Sequence, residues 1–129
     1  MLVTVRVFIL TARLVVAVTW FYQGLWLKII ARDPHHLEIV QRVGIPYPEA
    51  ALGLIGAGES LLGFAVLCRI FPRTIATVQI ALILAMNLTA IAGGRGVIEE
   101  PLSLLLGNLP LLLCIAFVGW HRPDSPGKV

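Results

Sequence analysis

Four apolar runs of about twenty residues, separated by short polar connections, constrain this chain more than any other feature. They extend from about Val7 to Leu27, Glu49 to Leu67, Thr74 to Ala92 and Pro101 to Trp120. A helix rises about 1.5 Å per residue and a bilayer core is about 30 Å thick, so each run is of spanning length. Lipid offers no partner to open backbone groups, which makes every run helical. Composition points the same way: 58% of the 129 residues are hydrophobic and 13% charged, against about 45–50% and 25% in soluble domains. The expected fold is an all-α membrane protein: one domain over residues 1–129, an up-down four-transmembrane-helix bundle in contact with the lipid bilayer.

The connection between spans one and two is the longest. Asp33-Pro34 offers an N-cap and a first helical residue, and Gly44 followed by Pro46 offers a stop. Leu37, Val40 and Val43, with Ile39 nearby, form an apolar stripe between them. This predicts a short interfacial helix of about ten residues on the membrane surface. Pro48, Pro72 and Pro101 mark the starts of spans two to four, where a missing N–H is harmless. Pro110 lies inside span four and predicts a kink near Leu106–Gly107. No Ala-x-Ala-like site closes a short apolar region at the N-terminus, so span one is expected to remain as an uncleaved anchor.

Charge excludes several functions. The net charge of +3 is spread along the chain with no Lys/Arg cluster, so there is no nucleic-acid footprint. Arg6, Arg69, Arg73, Arg122 and Lys128 fall on one side, and Lys28, Arg32, Arg42 and Arg95 on the other. That balance favours both termini in the cytoplasm. Cys68 and Cys114 have neither Cys-x-x-Cys nor metal-ligand spacing and read as small hydrophobes. His35-His36 has only Glu38 nearby, so no metal site is expected. Nucleophile-elbow, P-loop, dinucleotide and His-Glu-x-x-His patterns are all missing from the sequence. A self-contained hydrolase, kinase or dehydrogenase therefore has no support.

The polar groups at membrane depth carry the functional reading. Glu59 stands ten residues past Glu49, near the midplane of span two, with Gly56 and Gly63 on its side of the helix. Small residues admit a second helix closely, so Glu59 points at protein rather than lipid. An ionisable group there costs about 2.5–3.5 kcal/mol on insertion scales, which favours a task for it. Two sets of neighbours are open: Arg13 from the terminal side, or Asn87, Asn108 and Gln23 from the other. Arg13 also reads as snorkelling to the interface, and the asparagines as hydrogen-bonded bundle glue. Trp20, Phe21, Tyr22 and Trp26 cluster at the end of span one, either as an interfacial aromatic belt or as a stacking surface for a flat, quinone-like ligand. Lys28 closes that span and would stand at a pocket mouth.

Several motifs, taken in order, resemble the DoxX-like family of small four-span membrane proteins. They are Trp20-Phe-Tyr-Gln-Gly-Leu-Trp-Leu-Lys28 followed by Asp33-Pro34, Gly56-Ala-Gly-Glu59-Ser-Leu-Leu-Gly63, Asn87-Leu-Thr-Ala90, Pro101, and Gly107-Asn-Leu-Pro110. The resemblance implies a four-helix bundle in a bacterial inner membrane. It also implies an association with redox or thiol-handling proteins, the family being named after a membrane subunit of a thiosulfate:quinone oxidoreductase. Some relatives are joined to short-chain dehydrogenase-like domains, which this sequence does not display. By matching position it carries over Gln23, Gly24, Lys28, Glu59, Asn87 and Asn108. The loop Gly93-Gly-Arg-Gly-Val-Ile-Glu-Glu100 departs from the pattern.

Three functions stay open. The first is a redox-associated subunit holding a quinone-like or thiol-reactive ligand for an oxidoreductase partner, with Gln23, Lys28, Glu59, Asn87, Asn108, Trp20 and Tyr22 as candidate ligand contacts. The second is a membrane scaffold without chemistry, in which Glu59 pairs structurally. The third is a small-solute permease, which needs a homo-oligomer because four short helices leave little room for a pore.

Overall fold

The computed structural model describes residues 1–93, 96 and 99–121. Within them the chain is helical and forms the expected bundle, and the four long helices each have the length and apolarity to cross a membrane. The protein is a multi-pass integral membrane protein. Helix α1, Leu2–Phe21, passes directly into a π-helical segment, Tyr22–Ile30. The first span is therefore longer than expected at both ends, covering Val3–Ile30. The surface helix α2, Pro34–Val43, follows, and then α3, Pro48–Leu67, α4, Pro72–Gly93, and α5, Pro101–Trp120. The charges at Arg95, Arg122 and Lys128, most of the loop after Gly93 and the tail past His121 lie outside the described residues.

Local sequence explains where these helices start and stop. Pro34, Pro48, Pro72 and Pro101 each open one, their fixed φ being ready for the first turn. Gly44 ends α2 in the left-handed region at φ 82°, which costs glycine nothing. Helix α5 stays helical through Pro110. The proline there offers no N–H to Leu106, four residues earlier.

Packing follows a spacing of three and four. Leu52, Gly56, Glu59, Gly63 and Val66 are the buried residues of α3, and Ala76, Gln79, Ile83 and Asn87 those of α4. Alternating steps of this kind keep one seam facing the neighbours as helices wrap around each other. Helix α1 touches both α3 and α5, α4 packs on α5, and α2 lies across α3 and α4 at the end away from the termini. The shared core is made by Val16, Ala17, Trp20, Val66, Ala76, Ile83 and Ile115. Leu54, Leu61, Leu88 and Leu113 are exposed on the outside, as lipid-facing side chains must be.

A close helix approach fixes the site. A β-carbon added to Gly24 would stand 2.5 Å from the Gly56 carbonyl oxygen and 2.8 Å from the Glu59 β-carbon. One added to Gly56 would stand 2.7 Å from the Gly24 carbonyl oxygen. The π segment and α3 therefore meet backbone to backbone, the geometry small residues allow in membranes.

Candidate functional site

Glu59 and Lys28 form a buried ion pair. The Lys28 ammonium donates to Glu59 Oε2 at 2.8 Å and to Oε1 at 3.0 Å, with side chains 3% and 2% exposed. A longer bond, 3.4 Å, runs from the same nitrogen to the Gln23 carbonyl oxygen. Two fully enclosed charges are tolerable because each neutralises the other and their hydrogen-bonding capacity is used. Backbone placement makes this possible: with Gly24 against Gly56, Lys28 starts beside Gly56 and reaches one turn along α3 to Glu59. The π segment contributes. Its two buried residues, Gly24 and Lys28, stand four apart and both face α3.

Several expectations change here. The partner of Glu59 is Lys28, not Arg13, and Lys28 turns its ammonium inward to the carboxylate while still lining the cleft at the α2 end. Asn87 and Asn108 do not complete the carboxylate's shell; they bond each other, Asn108 Nδ2 donating to Asn87 Oδ1 at 3.1 Å and also to the Leu104 carbonyl. Asn87 Nδ2 is buried with no partner among the described residues. Gln23 is half-buried and reaches the ion pair through its carbonyl. The aromatic cluster divides. Tyr22 and Trp26 are exposed, as a belt would be, whereas Trp20 is buried in the core.

Trp20 has a partner that sequence reasoning missed. Its indole Nε1 donates to Gln79 Oε1 at 2.6 Å, and Gln79 Nε2 donates back to the Ile75 carbonyl. Gln79 is 2% exposed in an otherwise apolar stretch of α4. The signal was available: a buried indole needs an acceptor, and a lone Gln inside a span is as conspicuous as a lone Glu. The Trp20–Gln79 bond divides the bundle into two halves. Lys28 and Asn87 each lie eight residues beyond it, toward α2.

Each half has a cleft. At the α2 end, a cleft of about 310 Å³ is lined by Lys28, Ile29, Arg32, Leu37, Glu49, Ala50, Leu52 and Gly53. At the terminal end, a larger one of about 410 Å³ lies among α1, α3, α4 and α5, with Arg6, Arg13, Arg69 and His121 on its walls. Outside the spans, the Asp33 carboxylate is bonded to the His36 ring at 2.7 Å, which holds its pKa below the ordinary carboxylate value although partial burial opposes the shift. His36 is thereby committed to anchoring the start of α2.

The sequence profile of the DoxX-like family matches residues 17–116. The chain belongs to the DoxX-like family. Searches of curated proteins and of solved structures each found no match. The DoxX-like region takes in Lys28, Glu59, Gln79, Asn87 and Asn108, so the ion pair and both hydrogen-bonded pairs fall within it, while Arg6, Arg13 and His121 fall outside.

Proposed function

We propose that this DoxX-like protein is a redox-associated membrane subunit that holds a small hydrophobic, quinone-like or thiol-reactive ligand for a partner oxidoreductase. The observation behind the reading is the Lys28–Glu59 pair, closed to lipid yet adjoining the cleft at the α2 end through Lys28. Buried ion pairs add little net stability over apolar side chains of the same volume. A carboxylate and an ammonium retained at membrane depth therefore favour a role in recognition or proton handling. In this reading Lys28 turns from Glu59 to donate to a ligand carbonyl, and Glu59 exchanges the proton. A bound quinone would supply the two-electron carrier, with electrons from the partner enzyme. The residues of this chain orient the ligand and manage protons. Gln23, Asn87 and Asn108 are the further polar candidates, with the exposed Tyr22 ring and the buried Trp20 as aromatic ones. Arg6, Arg69 and Arg73 at the terminal end favour placing that end in the cytoplasm.

Decylubiquinone titrated into the purified protein in lipid nanodiscs tests this, with tryptophan fluorescence as the readout. Saturable quenching is expected, and Glu59→Gln should weaken it by at least about tenfold, the loss of one charge-assisted contact. Non-saturating quenching, identical in both proteins, would refute the reading.

A second reading has its own support. The Lys28 ammonium already has three acceptors, so the pair is complete without a ligand. On that basis the protein is a membrane scaffold whose ion pair fixes the register of α3 against the first span. Replacing both residues with apolar ones would then preserve folding and every association of the protein.

A further inference from the structure

The cleft at the terminal end has a charge pattern that the ion pair does not explain. Its upper walls carry Arg6, Arg13 and Arg69, and among the described residues no acidic side chain lines it. Among the described residues, none of these three arginines has a carboxylate partner, whereas Lys28 and Arg42 do. Arg13 is only half-exposed and lies within electrostatic range of Arg69. Guanidiniums of the same sign, gathered in a partly buried space, repel each other unless an anion sits between them. Deeper in, the walls are mostly apolar, with Val16, Val66, Ala76 and Ile115 around the amide of Gln79, whose oxygen is already bonded to Trp20. From Arg6 to Val16 the depth is about 15 Å at about 1.5 Å per residue.

We infer that this cleft binds one anionic phospholipid of the surrounding bilayer, its phosphate held by Arg13 and Arg69 and an acyl chain running down toward Val16 and Ile115. Charge complementarity selects the headgroup. The order of polar mouth and apolar floor matches a lipid standing in the leaflet on the terminal side. Guanidinium is the group suited to this task, since its fork of N–H donors fits phosphate oxygens in pairs. The bilayer supplies such a molecule at high local concentration in two dimensions. Arg69 is set for the role by its backbone: it turns the chain out of α3 at φ 57°, and Phe71 follows at φ 38°.

The test uses the full chain, delipidated in detergent and offered phosphatidylglycerol or phosphatidylcholine of the same acyl chains, with bound lipid counted by native mass spectrometry. One phosphatidylglycerol should be retained, at least about tenfold in preference to phosphatidylcholine. One basic residue near a membrane surface contributes roughly a fivefold factor toward anionic lipid. Arg69→Gln should thus lower retention about fivefold and the Arg13→Gln, Arg69→Gln double variant about thirtyfold. Arg42→Gln, at the opposite end, should change nothing. Arg69 lies outside the spanning helices, so the single variant decides the matter even if the double variant fails to fold. Equal retention of the two lipids, or wild-type retention by Arg69→Gln, overturns the inference. So does displacement of phosphatidylglycerol by millimolar inorganic phosphate, which would assign the cleft to a free anion.

Discussion

Removing the Lys28–Glu59 pair one side at a time, and then whole, separates the cost of a broken ion pair from the worth of an intact one. Two unit charges about 2.9 Å apart attract by about 6 kcal/mol at an effective dielectric of about 20. Desolvating each ion costs several kcal/mol, so the intact pair comes out close to neutral. Glu59→Leu leaves an ammonium at 3% exposure with no counter-charge, and such losses run to about 3–5 kcal/mol. Lys28→Met strands the carboxylate and should cost a similar amount, reduced by however far Glu59 takes up a proton. Independent effects would add to about 6–10 kcal/mol. The double variant should instead lie within about 1 kcal/mol of wild type, because similar apolar volumes replace both charges. The coupling energy then meets or exceeds the ~3 kcal/mol upper end of ordinary contacts. Reversible unfolding in mixed micelles, titrated with SDS and followed by tryptophan fluorescence, measures all three. Single variants costing under about 1 kcal/mol, or a double variant as costly as their sum, would refute the reasoning.

Other sites give sharper local tests. Gly24→Ala pushes a methyl against the Gly56 carbonyl, a backbone atom that cannot rotate away. It should destabilise by about 1–3 kcal/mol and loosen the ion pair, read as increased labelling of Lys28 by amine reagents. Gln79→Leu removes the acceptor from the buried Trp20 indole and should cost about 1–3 kcal/mol; an unchanged melting temperature would argue against a real bond. Asn108→Leu leaves Asn87 wholly unpaired, at a cost of about 0.6–1.7 kcal/mol, and replacing both asparagines with Leu should recover most of it. Asp33 has a carboxyl held below its ordinary value of 3.8 by His36, so its anchoring of α2 is complete above that value. The contribution is lost as pH falls through the lower folded value. Amide shifts of Leu37 and Glu38 should titrate there, and in Asp33→Asn they should not.

Much of the architecture was legible because lipid permits so few alternatives. Span-length apolar runs had to be helices, and the prolines at 34, 48, 72 and 101 stood where helices could open. Glu59 was rightly directed at protein, since the angular positions of Gly56 and Gly63 follow from helix periodicity alone. The surface helix Pro34–Val43 was framed by Asp33 and Gly44. The first span was misjudged at both ends. Nothing in Tyr22–Ile30 distinguishes a π turn from an α turn before it meets α3.

Periodicity along one helix gives a direction around its axis and a depth, and so the sequence by itself determined the bundle, its surface helix and an inward-facing carboxylate. It could not determine what lies across from that carboxylate. Depth alone offered Arg13, or Asn87, Asn108 and Gln23, and left Lys28 at the end of its span. The choice rested on where the first span crosses α3, set by the contact between Gly24 and Gly56 that places Lys28 beside α3. The Trp20–Gln79 bond and the arginine-lined cleft are decisions of the same kind. Each joins residues from separate helices, and only the packed bundle fixes their rotation and offset.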